Sequence, residues 1–206
     1  MTKIKICGIT NKTDAFSAVK LSVDMLGFVF YKKSKRYVEP RIAEYIIDEL
    51  PEQIAKVGVF VDEPADALRA MAEGAGLDTV QLHGNETPEY CAGLRRDYKV
   101  IKAFRLKSRE DLRKINDYDV DYYLLDTCRP DAAGGTGETF DWNILKDFEL
   151  LKPVILSGGL KAQNVGRAIA EVVPYGVDVS SGVEESPGKK DIALMKKFVE
   201  EVRRAE

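Results

Sequence analysis

Histidine and tryptophan each occur once in the 206 residues, and cysteine three times. Cys7, Cys91 and Cys128 are odd in number and stand at no zinc-ligand spacing, so reduced thiols are expected rather than a disulfide framework or a zinc centre. No apolar run is long enough to cross a bilayer, and Met1-Thr2-Lys3 passes into strand pattern without a secretory apolar core, so the expectation is a cytoplasmic protein with no membrane partner. A formal net charge of -3, with basic residues scattered among acidic ones except over 32–36, gives no bulk attraction to nucleic acid. Low-complexity linkers and breaks in composition are also lacking, which leaves one domain over 1–206 as the expectation.

What is present is a regular alternation. Apolar residues make up 45% and charged residues 32%, enough for a substantial core. Short apolar runs over 3–9, 25–31, 54–61, 79–83, 99–106, 121–126, 153–157 and 176–180 read as strands. Between them, 13–21, 41–50, 65–75, 88–96, 109–115, 142–148, 163–172 and 192–204 carry helical periodicity. Helix starts are expected at Thr13-Asp14, Glu63-Pro64 and Thr87-Pro88-Glu89, where a capping hydroxyl or a first-turn proline stands. Eight strands, each followed by a helix, predict an α/β protein, a closed (β/α)8 TIM barrel at the compact end of that fold. An open doubly wound sheet is the alternative.

Polar residues in the strands sharpen the barrel reading. Side chains two apart share a face, and sites in this fold gather at the carboxyl ends of the strands. Lys5 and Cys7 alternate with Ile4 and Ile6, Gln81 and His83 with Val80 and Leu82, and Asp178 and Ser180 with Val177 and Val179. The sixth strand ends in Asp126. If the apolar faces pack on helices, then Cys7, Gln81, His83, Asp126, Asp178 and Ser180 converge at one mouth. Two glycine-rich turns follow the last two strands, Ser157-Gly158-Gly159 and Ser180-Ser181-Gly182. There backbone amides and hydroxyls can approach an anion, and loops after strands seven and eight are the usual phosphate site of this fold. A phosphorylated small-molecule substrate is the expected partner.

The motifs KICGIT, GFVFYKKSKRYV, VGVFVDE, QLHGNE, LLDT, GGTGETFDW, LSGGL and VDVSSGVE occur in this order over essentially the whole chain. As a set they closely resemble phosphoribosylanthranilate isomerase of tryptophan biosynthesis. The resemblance implies an isomerase that carries out an Amadori rearrangement, with no metal and no organic cofactor. It assigns the general base to Cys7 and the general acid to Asp126. Ordinary pKa values are about 8.5 for cysteine and about 3.9 for aspartate, so a thiolate beside a protonated carboxyl reverses their solution order. Burial of Asp126 near substrate anions would raise its pKa, and backbone amides or Lys5 would favour the thiolate.

Arg36 lies in the loop after strand two, and the resemblance makes it the clamp for the anthranilate carboxylate, a role suited to a bidentate guanidinium. Lys32, Lys33 and Lys35 read as a solvated cluster that adds general attraction for a dianionic substrate. Asp178 is placed to accept a ribose hydroxyl, Gln81 to support the sugar or the acid, and the lone His83 to make a structural hydrogen bond within the substrate site. The stretch 129–140, rich in glycine, reads as a lid over a hydrolysable Schiff base. Cys91 is expected to pack in a helix and Cys128 to be a loop residue.

Two rivals remain open at this point. Indole-3-glycerol phosphate synthase calls for a catalytic lysine and paired glutamates at strand ends, and a sugar-phosphate sensor would not need both Cys7 and Asp126. The chain is compatible with a monomer or a homodimer.

Overall fold

The computed structural model describes residues 1–106, 108–126, 145 and 148–206. Eight parallel strands close into a barrel in sequence order: β1 (Lys3–Cys7), β2 (Met25–Val29), β3 (Ala55–Phe60), β4 (Thr79–Leu82), β5 (Lys99–Arg105), β6 (Tyr122–Asp126), β7 (Val154–Ser157) and β8 (Gly176–Val179). β8 returns to β1 with Lys5 opposite Asp178, which closes the ring. The open doubly wound alternative is thereby excluded. The strands are shorter at their carboxyl ends than the apolar runs suggested, because Gly8, Phe30, Val61 and His83 already belong to the connecting loops.

Helices α1 (Lys12–Lys20), α2 (Pro40–Ile47), α3 (Ala65–Gly74), α4 (Pro88–Leu94), α5 (Ala162–Val172) and α6 (Ile192–Arg204) surround the ring. The expected capping hydroxyl of Thr87 accepts the Tyr90 amide of α4. At α1 the cap is Asn11 rather than Thr13, its side chain accepting from the Asp14 amide. The segment expected as a helix over 109–115 is a 3-10 helix, Arg109–Asp117, while the helix expected over 142–148 falls mostly outside the described residues.

Alternation along the strands sorts side chains into two cores. Ile4, Ile6, Leu26, Phe28, Val80, Leu82, Tyr123, Leu125, Val177 and Val179 face outward and pack with Leu68, Met195, Phe198 and other helix residues. Each such fully buried aliphatic side chain contributes about 1.5–3 kcal/mol. Met25, Val57, Ile101, Ala103, Leu124 and Ile155 fill the barrel interior, and above them Val29, Val59 and Cys7 form a small cluster at the mouth.

The opposite, amino-terminal end is closed by a repeated clasp. Asp24, Asp78 and Asp121 stand just before β2, β4 and β6, and accept the amides of Ile4, Lys56 and Val100 on the preceding strands at 2.9, 3.0 and 2.9 Å. Each also faces a lysine at or near the start of that preceding strand: Lys3 at 2.7 Å, Lys56 at 3.9 Å and Lys99 at 3.4 Å. After β8 the chain adds a two-stranded hairpin that the strand pattern did not reveal, β9 (Glu184–Ser186) and β10 (Lys189–Lys190).

Candidate active site

The carboxyl ends of the strands surround a cavity of about 310 Å³. Its wall includes Cys7, Arg36, Gln81, His83, Asp126, Ser157, Gly158, Gly159, Asp178, Ser180 and Ser181. Of the residues expected in the site, Gly182 alone does not line it. Gly182 sits just behind, where a Cβ would approach the Leu160 carbonyl oxygen to 2.0 Å, so its lack of a side chain lets the loops after β7 and β8 pack together.

Cys7 ends β1 with its side chain inward, 8% exposed. Opposite it on β2 stands Gly27, where a Cβ would lie 2.8 Å from Cys7 Sγ and 3.1 Å from Lys5 Nζ. The glycine makes the space in which thiol and ammonium meet. Lys5 is fully buried and donates to Asp178 Oδ1 at 2.8 Å, while Ser157 Oγ donates to Asp178 Oδ2 at 2.9 Å. Both oxygens of Asp178 therefore already have protein partners, and its first task in this geometry is to balance Lys5. Burial works against the Lys5 ammonium, but Asp178 and Cys7 outweigh it and hold its pKa above the ordinary lysine value. For Cys7 burial is the largest influence and pushes the thiol up; Lys5 and Lys190 pull the other way without cancelling it. The expected help from Lys5 is thus present, and desolvation exceeds it.

The Asp126 side is built differently. Gln81, 1% exposed, places Nε2 at 3.0 Å from His83 Nδ1, and His83 Nε2 lies 3.3 Å from Asp126 Oδ2. With the amide donating to Nδ1, the ring proton is on Nε2 and points at the Asp126 carboxyl. His83 thus bridges Gln81 and Asp126. Among the described residues no donor reaches the buried Gln81 Oε1.

At the end of β7, Gly158 and Gly159 take φ of 89° and 68°, a left-handed pair between β7 and α5 that lines the cavity. Arg36 comes from the loop after β2. Its guanidinium grips Glu184 of the hairpin through Nε and Nη2 at 2.9 and 2.6 Å. Lys32, Lys33 and Lys35 are exposed around it. Cys91 is a buried helix thiol whose pKa burial pushes up to about 12. Cys128 and the lid expected over 129–140 lie outside the described residues.

Glu184 and Lys190 carry no role in the sequence reading. Glu184 stands at the end of the VDVSSGVE motif, and Lys190 sits in a charged run. Only the hairpin turns both inward. Burial opposes ionisation of Glu184, yet bonds from Arg36 and Lys190 hold its carboxyl below the usual glutamate range. Among the described residues, no group of three or more histidine, cysteine, aspartate or glutamate side chains is placed to hold a metal ion, and no helix is long and apolar enough to cross a membrane.

The family model for N-(5'-phosphoribosyl)anthranilate isomerase matches residues 4–201. An N-(5'-phosphoribosyl)anthranilate isomerase from Geobacter sp. (strain M21) is 50% identical over 204 residues, 99% of this chain and 99% of its own. The crystal structure of phosphoribosyl anthranilate isomerase from Thermotoga maritima superimposes with a TM-score of 0.90 at 42% identity, covering 99% of this chain and 100% of that one. A solved isomerase in complex with reduced 1-(o-carboxyphenylamino)-1-deoxyribulose 5-phosphate gives a TM-score of 0.87 at 39% identity, with 99% and 100% covered.

Proposed function

The chain belongs to the N-(5'-phosphoribosyl)anthranilate isomerase family, and from that premise we propose that Cys7 and Asp126 are the base and acid that work the reaction from the mouth of the barrel. The reaction is the Amadori rearrangement of tryptophan biosynthesis, in which the aminoaldose N-(5'-phosphoribosyl)anthranilate becomes the aminoketose 1-(2-carboxyphenylamino)-1-deoxyribulose 5-phosphate. Its proton traffic defines two jobs. Asp126 gives a proton to the ring oxygen as the C1'–O bond breaks and the nitrogen lone pair forms the C=N bond. The Cys7 thiolate then takes the proton from C2', leaving an enolamine. Ketonisation removes one proton from O2' and returns one to C1', so both groups end as they began.

The surrounding residues serve these steps. Gly158, Gly159, Ser180 and Ser181 present amides and hydroxyls to the 5'-phosphate, next to the positive amino-terminal end of α5, and Gly182 packs behind them. Arg36 takes the anthranilate carboxylate. Gln81 and His83 hold the Asp126 carboxyl in place, and Asp178 keeps Lys5 beside the thiol. A thiol raised by burial is scarce as thiolate near neutrality, but each thiolate is a strong base. The incoming phosphate and carboxylate favour the protonated form of Asp126.

The observation that supports this reading is the convergence of Cys7 and Asp126 on one cavity that also carries the serine and glycine loops after β7 and β8. Turnover of freshly made N-(5'-phosphoribosyl)anthranilate, followed by loss of its fluorescence, tests it. Rapid turnover by the parent is expected, with Cys7→Ala and Asp126→Asn each slower by at least ~100-fold. A parent that binds a phosphorylated product analogue without turning substrate over would make the chain a sensor instead.

A further inference from the structure

Arg36 is held more firmly than a surface-loop arginine has reason to be. Glu184, with 4% of its side chain exposed, accepts Nε at 2.9 and 3.1 Å and Nη2 at 2.6 Å. Only the Nε/Nη2 side of the guanidinium is consumed by that grip. The Nη1/Nη2 edge stays open, and among the described residues nothing bonds to Nη1. The stem is wedged as well: Gly8 has φ of 79°, and a Cβ there would lie 2.8 Å from Arg36 Cδ.

The charge count matters as much as the geometry. An arginine paired with one glutamate is neutral overall and would offer an incoming carboxylate little attraction. Here Lys190 Nζ, fully buried, donates to Glu184 Oε1 at 2.8 Å, so the triad keeps one positive charge. The same ammonium donates to the carbonyl oxygens of Cys7 at 2.6 Å and Ser180 at 3.3 Å. The Lys190 amide donates to Asp14 Oδ2 at 2.7 Å, and Gly188 donates through its amide to Glu184 Oε1 at 3.3 Å. The hairpin is thereby pinned to β1, to α1 and to the loop after β2 at once, and its position relative to Cys7 is fixed.

We propose that Glu184 is a positioning residue that sets substrate specificity, holding Arg36 as a one-edged fork for a planar aromatic carboxylate at a fixed offset from Cys7. The proposal rests on the reading of Arg36 as the carboxylate clamp. It assigns Glu184 no contact with substrate. Its effect on selectivity is transmitted through Arg36, with Lys190 restoring the charge that Glu184 cancels.

The test compares two aminoaldose phosphates, N-(5'-phosphoribosyl)anthranilate and N-(5'-phosphoribosyl)aniline, which lacks the carboxylate. The parent is expected to prefer the first in kcat/KM, and Arg36→Met to erase that preference. Glu184→Gln is expected to cut the preference by ~10-fold, through KM for the carboxylated substrate, with kcat/KM for the aniline compound within ~2-fold of the parent. A purely structural role would slow both substrates alike, and that result overturns the proposal while leaving the clamp intact. Equal preferences in parent and Arg36→Met would remove the clamp reading itself, and the proposal with it. Should the glutamine variant fail to fold, Glu184→Asp keeps the negative charge beside Lys190 but withdraws it by one methylene, and the same loss of preference is expected from it.

Discussion

The two ends of the barrel solve their problems in opposite ways. At the amino-terminal end one arrangement appears three times: an aspartate before an even-numbered strand accepts an amide of the strand before it and faces a lysine from the same strand. At the carboxyl end the two sides of the mouth are built differently. The Cys7 side is stitched by matched charges, and the Asp126 side hangs on one chain of hydrogen bonds from Gln81 through His83 to Asp126. Repetition suits a task every strand pair shares, the satisfaction of end amides and the fixing of register. Chemistry on an asymmetric substrate has no such symmetry to reuse.

Substitutions at the two ends should therefore separate activity from stability. The largest divergence is expected at Cys7→Ala, where the ~100-fold or greater loss of turnover should come with a melting temperature close to the parent's, because the thiol makes a small contribution to the core. Lys5→Met should move both quantities. It leaves the Asp178 carboxylate buried without its ion partner, at a cost of about 3–5 kcal/mol in chemical denaturation, and Lys5→Met with Asp178→Asn should recover part of that loss. If the single variant is as stable as the parent, Asp178 is balanced by something other than Lys5.

A smaller effect, confined to stability, is expected at the other end. Asp121→Ala strands the Val100 amide and should cost about 1–2 kcal/mol, with kcat/KM within ~2-fold of the parent. Burial opposes ionisation of Asp121, but the Val100 amide, Arg95 and Lys99 outweigh it and hold the carboxyl below its usual range. The sign follows from linkage: its contribution is complete above the ordinary aspartate range and is lost as pH falls through the lowered value. Thermal unfolding of Asp121→Ala should accordingly fall less steeply on acidification than that of the parent. Reduced turnover in this variant would break the separation between the two ends.

The barrel and most of its mouth were legible in the primary structure because strand periodicity carries both. Alternation in Lys5-Ile6-Cys7, Gln81-Leu82-His83 and Asp178-Val179-Ser180 is enough to place those side chains on the inner face. What stayed hidden depended on partners distant in sequence. Nothing local shows that Asp178 spends its oxygens on Lys5 and Ser157, since the Lys5 pairing spans 173 positions. The hairpin after β8 was missed because its strands have three and two residues, too short for a period-two signal, and with it went Glu184 and Lys190. The three aspartate clasps were visible as Val23-Asp24-Met25, Leu77-Asp78-Thr79 and Val120-Asp121-Tyr122, although only the register gives them a common meaning.

The claim on which the chemistry turns is that the base is a cysteine whose thiol burial has raised. The dependence of kcat/KM on pH tests it most directly, because that quantity reports the ionisations of the free enzyme. The rate is expected to climb through neutrality and to keep climbing past the ordinary thiol range, with the limb lost in Cys7→Ala. A profile already level at neutral pH would contradict it and place the base on a group of lower pKa.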